Sequence, residues 1–296
     1  MKFGINLGFA NNRYPEPEVW TKIVKEIGLL DVQFVADILN PSLKKWDHSY
    51  YDSLVDRTVH SIHENGITVS SMMTSTFTRV NHFAHPDAGY RKIWFDWFKE
   101  FVLMGEKFGS KKLGSHLGIM TVNSEKNDQN KIYDQTISLW ADLSEFAYDY
   151  GYECLFFEPM SVNREFCDTI EKSLKTYDDL NQISKIPVKI CLDVGHAPHP
   201  TERDPYKWIE ALADKSCIIH LQQTTKNNSN HSPFTEKFNK TGIIDGVKTI
   251  NLLKDNGFDG DMIFEIGFKE KFENEPIIID SLKESVEYWK SAVLKV

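Results

Sequence analysis

Eight short apolar runs, each bounded by turn residues and recurring at about thirty to forty residues, constrain this chain more than any other feature. They are Lys2 to Leu7, Val32 to Ala36, Thr68 to Met72, Lys111 to Ser115, Glu153 to Phe157, Val188 to Leu192, Cys217 to Leu221 and Met262 to Ile266. Between most of them lies a segment of helical periodicity that closes in a glycine just before the next run. Pro17 to Ile27 ends at Gly28, Tyr51 to Glu64 at Gly66, Trp94 to Phe108 at Gly109, Ile132 to Tyr150 at Gly151, and Ile244 to Asn256 at Gly257. A glycine there suits the left-handed turn with which many helices stop.

Alternation of strand and helix along the whole length implies a parallel sheet. Eight units of this size fit a closed (β/α)8 barrel, residues 1–296 forming a single domain, better than an open doubly wound sheet. The first strand leads into Asn6-Leu7-Gly8-Phe9-Ala10-Asn11-Asn12, which matches neither the dinucleotide-binding nor the phosphate-loop glycine pattern. The longest irregular stretch, about Thr224 to Thr241, follows the seventh strand, and loops that long in a compact domain tend to carry function. Trp20, Trp94, Trp97, Trp140 and Trp208 fall on the helical segments and read as packing residues.

Charge narrows the partners. A formal net charge of −9 argues against a broad nucleic-acid or anionic-membrane surface, while leaving room for one local cationic pocket. Cys154, Cys167, Cys191 and Cys217 form no C-x-x-C pair, and three of them sit within strand-like runs, as small buried hydrophobes do. The N-terminal apolar stretch is too short for a signal peptide and no run approaches membrane-spanning length, so a cytoplasmic location is the expectation.

In a parallel barrel the chemistry sits at the C-terminal ends of the strands, so polar residues that end apolar runs are the informative ones. The fifth run ends in Glu158, the sixth in Asp193, the seventh in Gln222 and the eighth reaches Glu265. One strand-end acid is ordinarily a cap or an ion-pair member; three on neighbouring strands would repel one another unless a cation neutralised them. The oxygen-only set Glu158, Asp193, Gln222 and Glu265 suits Mg2+ or Mn2+ better than Zn2+ or Co2+. Asp193-Val194-Gly195-His196 places His196 beside the ion, where it can hold a substrate oxygen, and His116, which ends the fourth run, is a second substrate-binding candidate, with a packed core histidine as the alternative. His220, one inward layer below Gln222, reads as structural.

Glu ending strand five, Asp-x-x-His after strand six, a ligand after strand seven and Glu ending strand eight resemble the xylose-isomerase-like TIM barrels, and within them the sugar-phosphate isomerases and ketose 3-epimerases. Stretches such as Asn81-His82-Phe83-Ala84-His85-Pro86-Asp87, His220-Leu221-Gln222-Gln223-Thr224 and His231-Ser232-Pro233-Phe234-Thr235 further resemble the bacterial enzymes that act on erythrulose phosphates in tetritol breakdown. The resemblance implies that Glu158 and Glu265 bind metal and also serve as acid/base residues on opposite faces of the substrate, that Asp193 is a ligand and that His196 holds substrate. Many ketose 3-epimerases carry His where this chain has Gln222, and a substrate-contacting Arg where it has Asn228; Lys226 and His231 are the expected substitutes. The implied reaction is epimerisation or aldose–ketose isomerisation of a short ketose or its phosphate by proton transfer through a metal-stabilised enediolate. Barrels of this group often form homodimers, an expectation that the resemblance alone carries. Two rivals share the scaffold. An abasic-site endonuclease would need a multi-metal, histidine-rich cluster and a basic face, and a non-catalytic sugar-phosphate sensor would need only one ligand set.

Overall fold

In the computed structural model, which describes residues 1–74, 82–160, 162–196, 203–269 and 274–296, the eight runs are strands of one closed parallel barrel in sequential order. They are β1 (Lys2–Asn6), β2 (Asp31–Val35), β3 (Thr68–Met73), β4 (Lys112–His116), β5 (Cys154–Glu158), β6 (Val188–Asp193), β7 (Ser216–Leu221) and β8 (Asp261–Phe264). The ring closes where Lys2 pairs with Asp261 and Ile5 with Phe264. The expected (β/α)8 architecture is therefore the one observed.

The longer helices on the outside are α1 (Pro17–Glu26), α2 (His48–Asn65), α3 (Ala88–Lys107), α5 (Gln129–Asp149), α6 (Ile170–Ile183), α7 (Pro205–Leu212), α9 (Gly246–Asp255) and α10 (Glu275–Val293), with short turns α4 (Val122–Asn127) and α8 (Glu236–Asn239). Several start earlier than the apolar periodicity suggests. Asp47 accepts from the Tyr50 amide and Asp87 from the Tyr90 amide, so α2 and α3 begin at those caps, whereas periodicity detects only the first buried residue. All five glycines that end the helical segments, Gly28, Gly66, Gly109, Gly151 and Gly257, have φ between 64° and 82°. That is the left-handed conformation expected of them.

Packing divides between two layers. Outside the barrel wall the fully buried Trp20, Trp140 and Trp289 lie under the helices, each within α1, α5 or α10. Inside the wall small residues face large ones: a Cβ at Gly114 would lie 2.1 Å from the Phe156 ring, and one at Gly4 would lie 2.8 Å from Ile263. Each fully buried aromatic or aliphatic side chain is worth roughly 1.5–3 kcal/mol, so these layers hold the frame rigid. At the N-terminal end Lys112 of β4 reaches Asp261 of β8 at 2.7 Å, across the ring, since β4 and β8 stand four places apart in an eight-strand closure. Towards the other end the interior turns polar, with Asn6, Gln33, Ser71, His116, Glu158, Asp193, His220 and Gln222 all buried.

Candidate active site

The polar interior is built from the last residues of the strands. His116 closes β4, Glu158 closes β5 and Asp193 closes β6. Glu265 lies one residue past β8, its amide still donating to Leu221 O at 3.0 Å. A cavity of about 150 Å3 opens here, lined by His116, Glu158, His196, His231 and Glu265, with Asn6, Gly8, Val35, Asp37, Met73, Thr74 and Met160 completing its wall.

Glu158 is ringed by imidazoles. His116 Nε2 lies 3.0 Å from its Oε2, and His220 Nδ1 and His196 Nδ1 lie 3.1 and 3.4 Å from its Oε1. Burial pushes the Glu158 carboxyl up, yet the charge of His196 and the His116 and His220 hydrogen bonds outweigh it and hold the group well below the usual carboxylate range. Glu265 Oε2 lies 3.1 Å from His220 Nδ1 and 3.6 Å from His231 Nδ1. There too burial opposes the charges of His220 and His231, which win and bring the carboxyl down to about 2. Asp193 goes the other way. Burial, aided by the charges of Glu265 and Glu158, raises it despite His196 Nε2 at 3.3 Å from Oδ2.

The seventh strand brings two polar side chains to this site. Gln222 donates from Nε2 to Asp193 Oδ2 at 2.8 Å, and its Oε1 accepts the His231 backbone N–H at 2.6 Å. Its amide oxygen keeps a second lone pair, and its NH2 fixes Asp193 from the side while the Gly195 amide fixes Oδ1 at 2.6 Å. His220, read from the sequence as structural, stands between the two glutamates. The ladder explains why: Asp193 pairs with His220, after a register shift on β6 between Ile190 and Cys191 that opposes Ser216 and then Ile218, so His220 sits level with the strand-end acids. Pairing register sets that level, and no pattern within β7 alone reveals it.

The remaining expected residues are placed as follows. His196 and His231 face one another with ring centroids 5.4 Å apart and line the cavity. Lys226 is exposed on the loop after β7 and is not among the cavity-lining residues. That loop is less irregular than its composition suggests, since Gln223 bridges to Ser232 and α8 follows. Of the motif that begins at Asn81, that first residue lies outside the described residues. His82 is buried and donates from Nε2 to His116 O at 3.1 Å, which braces the end of β4. The thiols of Cys154, Cys167, Cys191 and Cys217 are unpaired by disulfides, and no helix among the described residues is long and apolar enough to cross a membrane.

The side chains present fit a divalent cation. Glu158, Asp193, His220 and Glu265 each offer an atom, all within 4.8 Å of one another. Glu265 Oε2 and His196 Nδ1 are buried with no well-aligned hydrogen bond, as groups awaiting a further partner are. The buried Glu158 and Asp193, the partly buried Glu265 and the His220 imidazole make a mixed oxygen and nitrogen set, with the Gln222 amide beside Asp193.

Comparison with known proteins bears on the fold and the family. The chain is 31% identical over 298 residues to the D-erythrulose 1-phosphate 3-epimerase of Brucella abortus, covering 98% of this chain and 95% of that one. A Rhodospirillum rubrum protein named after xylose isomerase superposes with a TM-score of 0.88 at 23% identity, over 98% of this chain and 99% of the other. The D-psicose 3-epimerase of Clostridium cellulolyticum H10 superposes with a TM-score of 0.78 at 14% identity, over 99% of both chains. The xylose isomerase-like TIM barrel family model matches residues 21–291. With nearly the full length matched and the closed barrel in place, this chain belongs to the xylose isomerase-like TIM barrel family.

Proposed function

We propose that this chain is a divalent-cation-dependent 3-epimerase of a short ketose phosphate, with D-erythrulose 1-phosphate as the favoured substrate. The coarser part, an enzyme of the sugar isomerase and epimerase kind, follows from the 31% identity to an epimerase over nearly the full length of both chains. The observation that carries the finer part is the pair of glutamates, Glu158 and Glu265, on either side of His220 at the floor of one small cavity.

Glu158, Asp193, His220 and Glu265 would hold the cation, with Mn2+ or Mg2+ favoured by the three carboxylates. A divalent cation bound there supplies electron withdrawal from the substrate carbonyl, which makes the proton on the neighbouring carbon acidic. The protein does the rest. One glutamate removes that proton and the other returns one from the opposite face, which inverts the carbon. Both carboxyls are held ionised at neutral pH, so the returning side must first gain a proton. His116, 3.0 Å from Glu158 Oε2, is placed to lend it. His196 and His231 hold substrate oxygens at the cavity wall, and Val35, Met73 and Met160 exclude water from the reacting carbon.

A panel of tetruloses, pentuloses and hexuloses, each with and without phosphate and assayed with Mn2+, tests the reading. Turnover confined to short ketose phosphates is the expected result. Binding without turnover would instead favour a sensor on the same scaffold, and loss of turnover in Glu158→Gln and Glu265→Gln separates the two.

A further inference from the structure

The end of β4 is held by a histidine that stands outside the cavity. His82 is fully buried, and its ring is boxed by Phe83 and by Trp94 and Phe98 of α3, at centroid distances of 5.4, 6.5 and 5.8 Å. Its two nitrogens meet backbone groups whose roles cannot be exchanged. The Phe83 N–H, which can only donate, reaches Nδ1 at 2.7 Å, and the His116 carbonyl, which can only accept, lies 3.1 Å from Nε2. The ring is therefore neutral, bare at Nδ1 and protonated at Nε2. Burial and the neighbouring His116 push it down to about 3, although the hydrogen bond to the His116 carbonyl pulls the other way, so it keeps this form at neutral pH.

What this hydrogen bond holds is the last residue of β4, whose side chain lines the cavity and places Nε2 3.0 Å from Glu158 Oε2. From the β3 side the two preceding residues are tied to Thr74, which donates its N–H to Gly114 O at 3.1 Å and its hydroxyl to Ser115 Oγ at 2.6 Å. Beyond His116 the chain leaves the barrel through Gly118, at φ 134°, where a Cβ would lie 3.1 Å from that of Ala84 and 3.6 Å from His82 Cε1. The segment from His82 to Ala84 thus closes over the segment from His116 to Gly118, and the Nε2–H ties one to the other. His116 is buried, so loss of that donor would leave its carbonyl unsatisfied, a cost that the strand end can relieve only by moving.

We propose that His82 is a positioning residue for the epimerisation, its Nε2–H fixing the His116 carbonyl and with it the reach of the His116 ring to Glu158. It rests on the reading of His116 as the group that lends Glu158 a proton. His82 is not among the cavity-lining residues and acts on the reaction only through the end of β4.

The test pairs two amides that each keep half of the imidazole. Gln at this position carries an NH2 where Nε2 stands, whereas Asn carries an oxygen where Nδ1 stands. Both are assayed with Mn2+ and D-erythrulose 1-phosphate well below their unfolding transitions, so that a purely structural role would leave kcat unmoved. His82→Asn is expected to lower kcat about 10–100-fold with KM and calorimetric Mn2+ affinity unchanged, and His82→Gln to recover most of that loss. Wild-type kcat in His82→Asn, or a His82→Gln as slow as His82→Asn, overturns the proposal. Nitrogen NMR of histidine-labelled wild type needs no variant: a His82 ring protonated at Nε2 and bare at Nδ1 is expected, and a proton on Nδ1 overturns the proposal even if His82→Asn fails to fold. His116→Phe separates the two levels. Unchanged kcat there removes the proton-lending reading and the proposal together, whereas a slow His116→Phe beside a wild-type-like His82→Asn removes the proposal alone.

Discussion

Glu158 is the residue on which most of the site converges, with three imidazoles within 3.4 Å of its two oxygens. Replacing it, or Glu265, by the isosteric amide retains size while removing both a cation ligand and a proton carrier. Glu158→Gln and Glu265→Gln are each expected to lower kcat by on the order of 10²–10⁴-fold, with a fold unchanged by circular dichroism. His220 makes a pH prediction. Burial tends to lower it, but the neighbouring Cys191 and Glu265 outweigh that and raise it well above 6.5 in the metal-free protein. Its charge therefore stabilises the metal-free fold fully below the unfolded value and less as pH rises through the folded one. For the cation the order is reversed, because the proton must leave Nδ1 first. Mn2+ affinity should rise with pH through the neutral range and binding at pH 7 should release protons, read as a dependence of calorimetric enthalpy on the ionisation heat of the buffer. Proton-neutral binding would contradict it. At this scale the sequence exposed the acids readily, since Glu158, Asp193 and Glu265 interrupt apolar runs. It concealed His220, because a histidine flanked by Ile219 and Leu221 looks like core and its level in the barrel comes from pairing with β6.

Elements show the same division between what is local and what is not. Gly66 ends α2 at φ 64°, with no atom within 4 Å of the place a Cβ would take, so its value is conformational alone. Gly66→Ala should cost about 1–2 kcal/mol in urea unfolding with kcat/KM unaltered. Gly195 differs, having no left-handed backbone and no free space. A Cβ there would lie 2.2 Å from Gln222 Cδ, and making room for it would move the amide that holds Asp193 at 2.8 Å. Gly195→Ala is expected to weaken Mn2+ binding by roughly tenfold or more, in excess of any change in urea midpoint. The helix-ending glycines could be recognised before the structure because their signal lies within one segment. Gln222 could be recognised as a strand-end polar residue but its hydrogen bonds could not, because the His231 N–H that its oxygen accepts arrives from nine residues away along a loop.

The whole molecule separates its chemistry from its stability along the barrel axis. Polar and titratable groups converge at the C-terminal mouth, whereas Lys112 and Asp261 span the opposite end at 2.7 Å and are partly shielded, their side chains 26% and 14% exposed. Lys112→Met should lower stability by an amount between the roughly 1 kcal/mol of an exposed ion pair and the roughly 3–5 kcal/mol of breaking a buried one. Activity below the unfolding transition should be unaffected. Eight regularly spaced runs sufficed to foresee the closed parallel ring, because eight alternating units of this size suit a barrel better than an open doubly wound sheet. The ion pair across its base was not foreseeable, since 149 residues separate the partners.

The central claim is that two glutamates exchange a carbon-bound proton of a short ketose phosphate with the protein. Incubation of the Mn2+-reconstituted enzyme with D-erythrulose 1-phosphate in D2O, followed by chiral analysis and mass spectrometry, addresses it directly. The account predicts inversion at C3 with one deuterium incorporated at that carbon. Inversion with the original hydrogen retained, or no turnover of any ketose phosphate by cation-loaded protein, would contradict it.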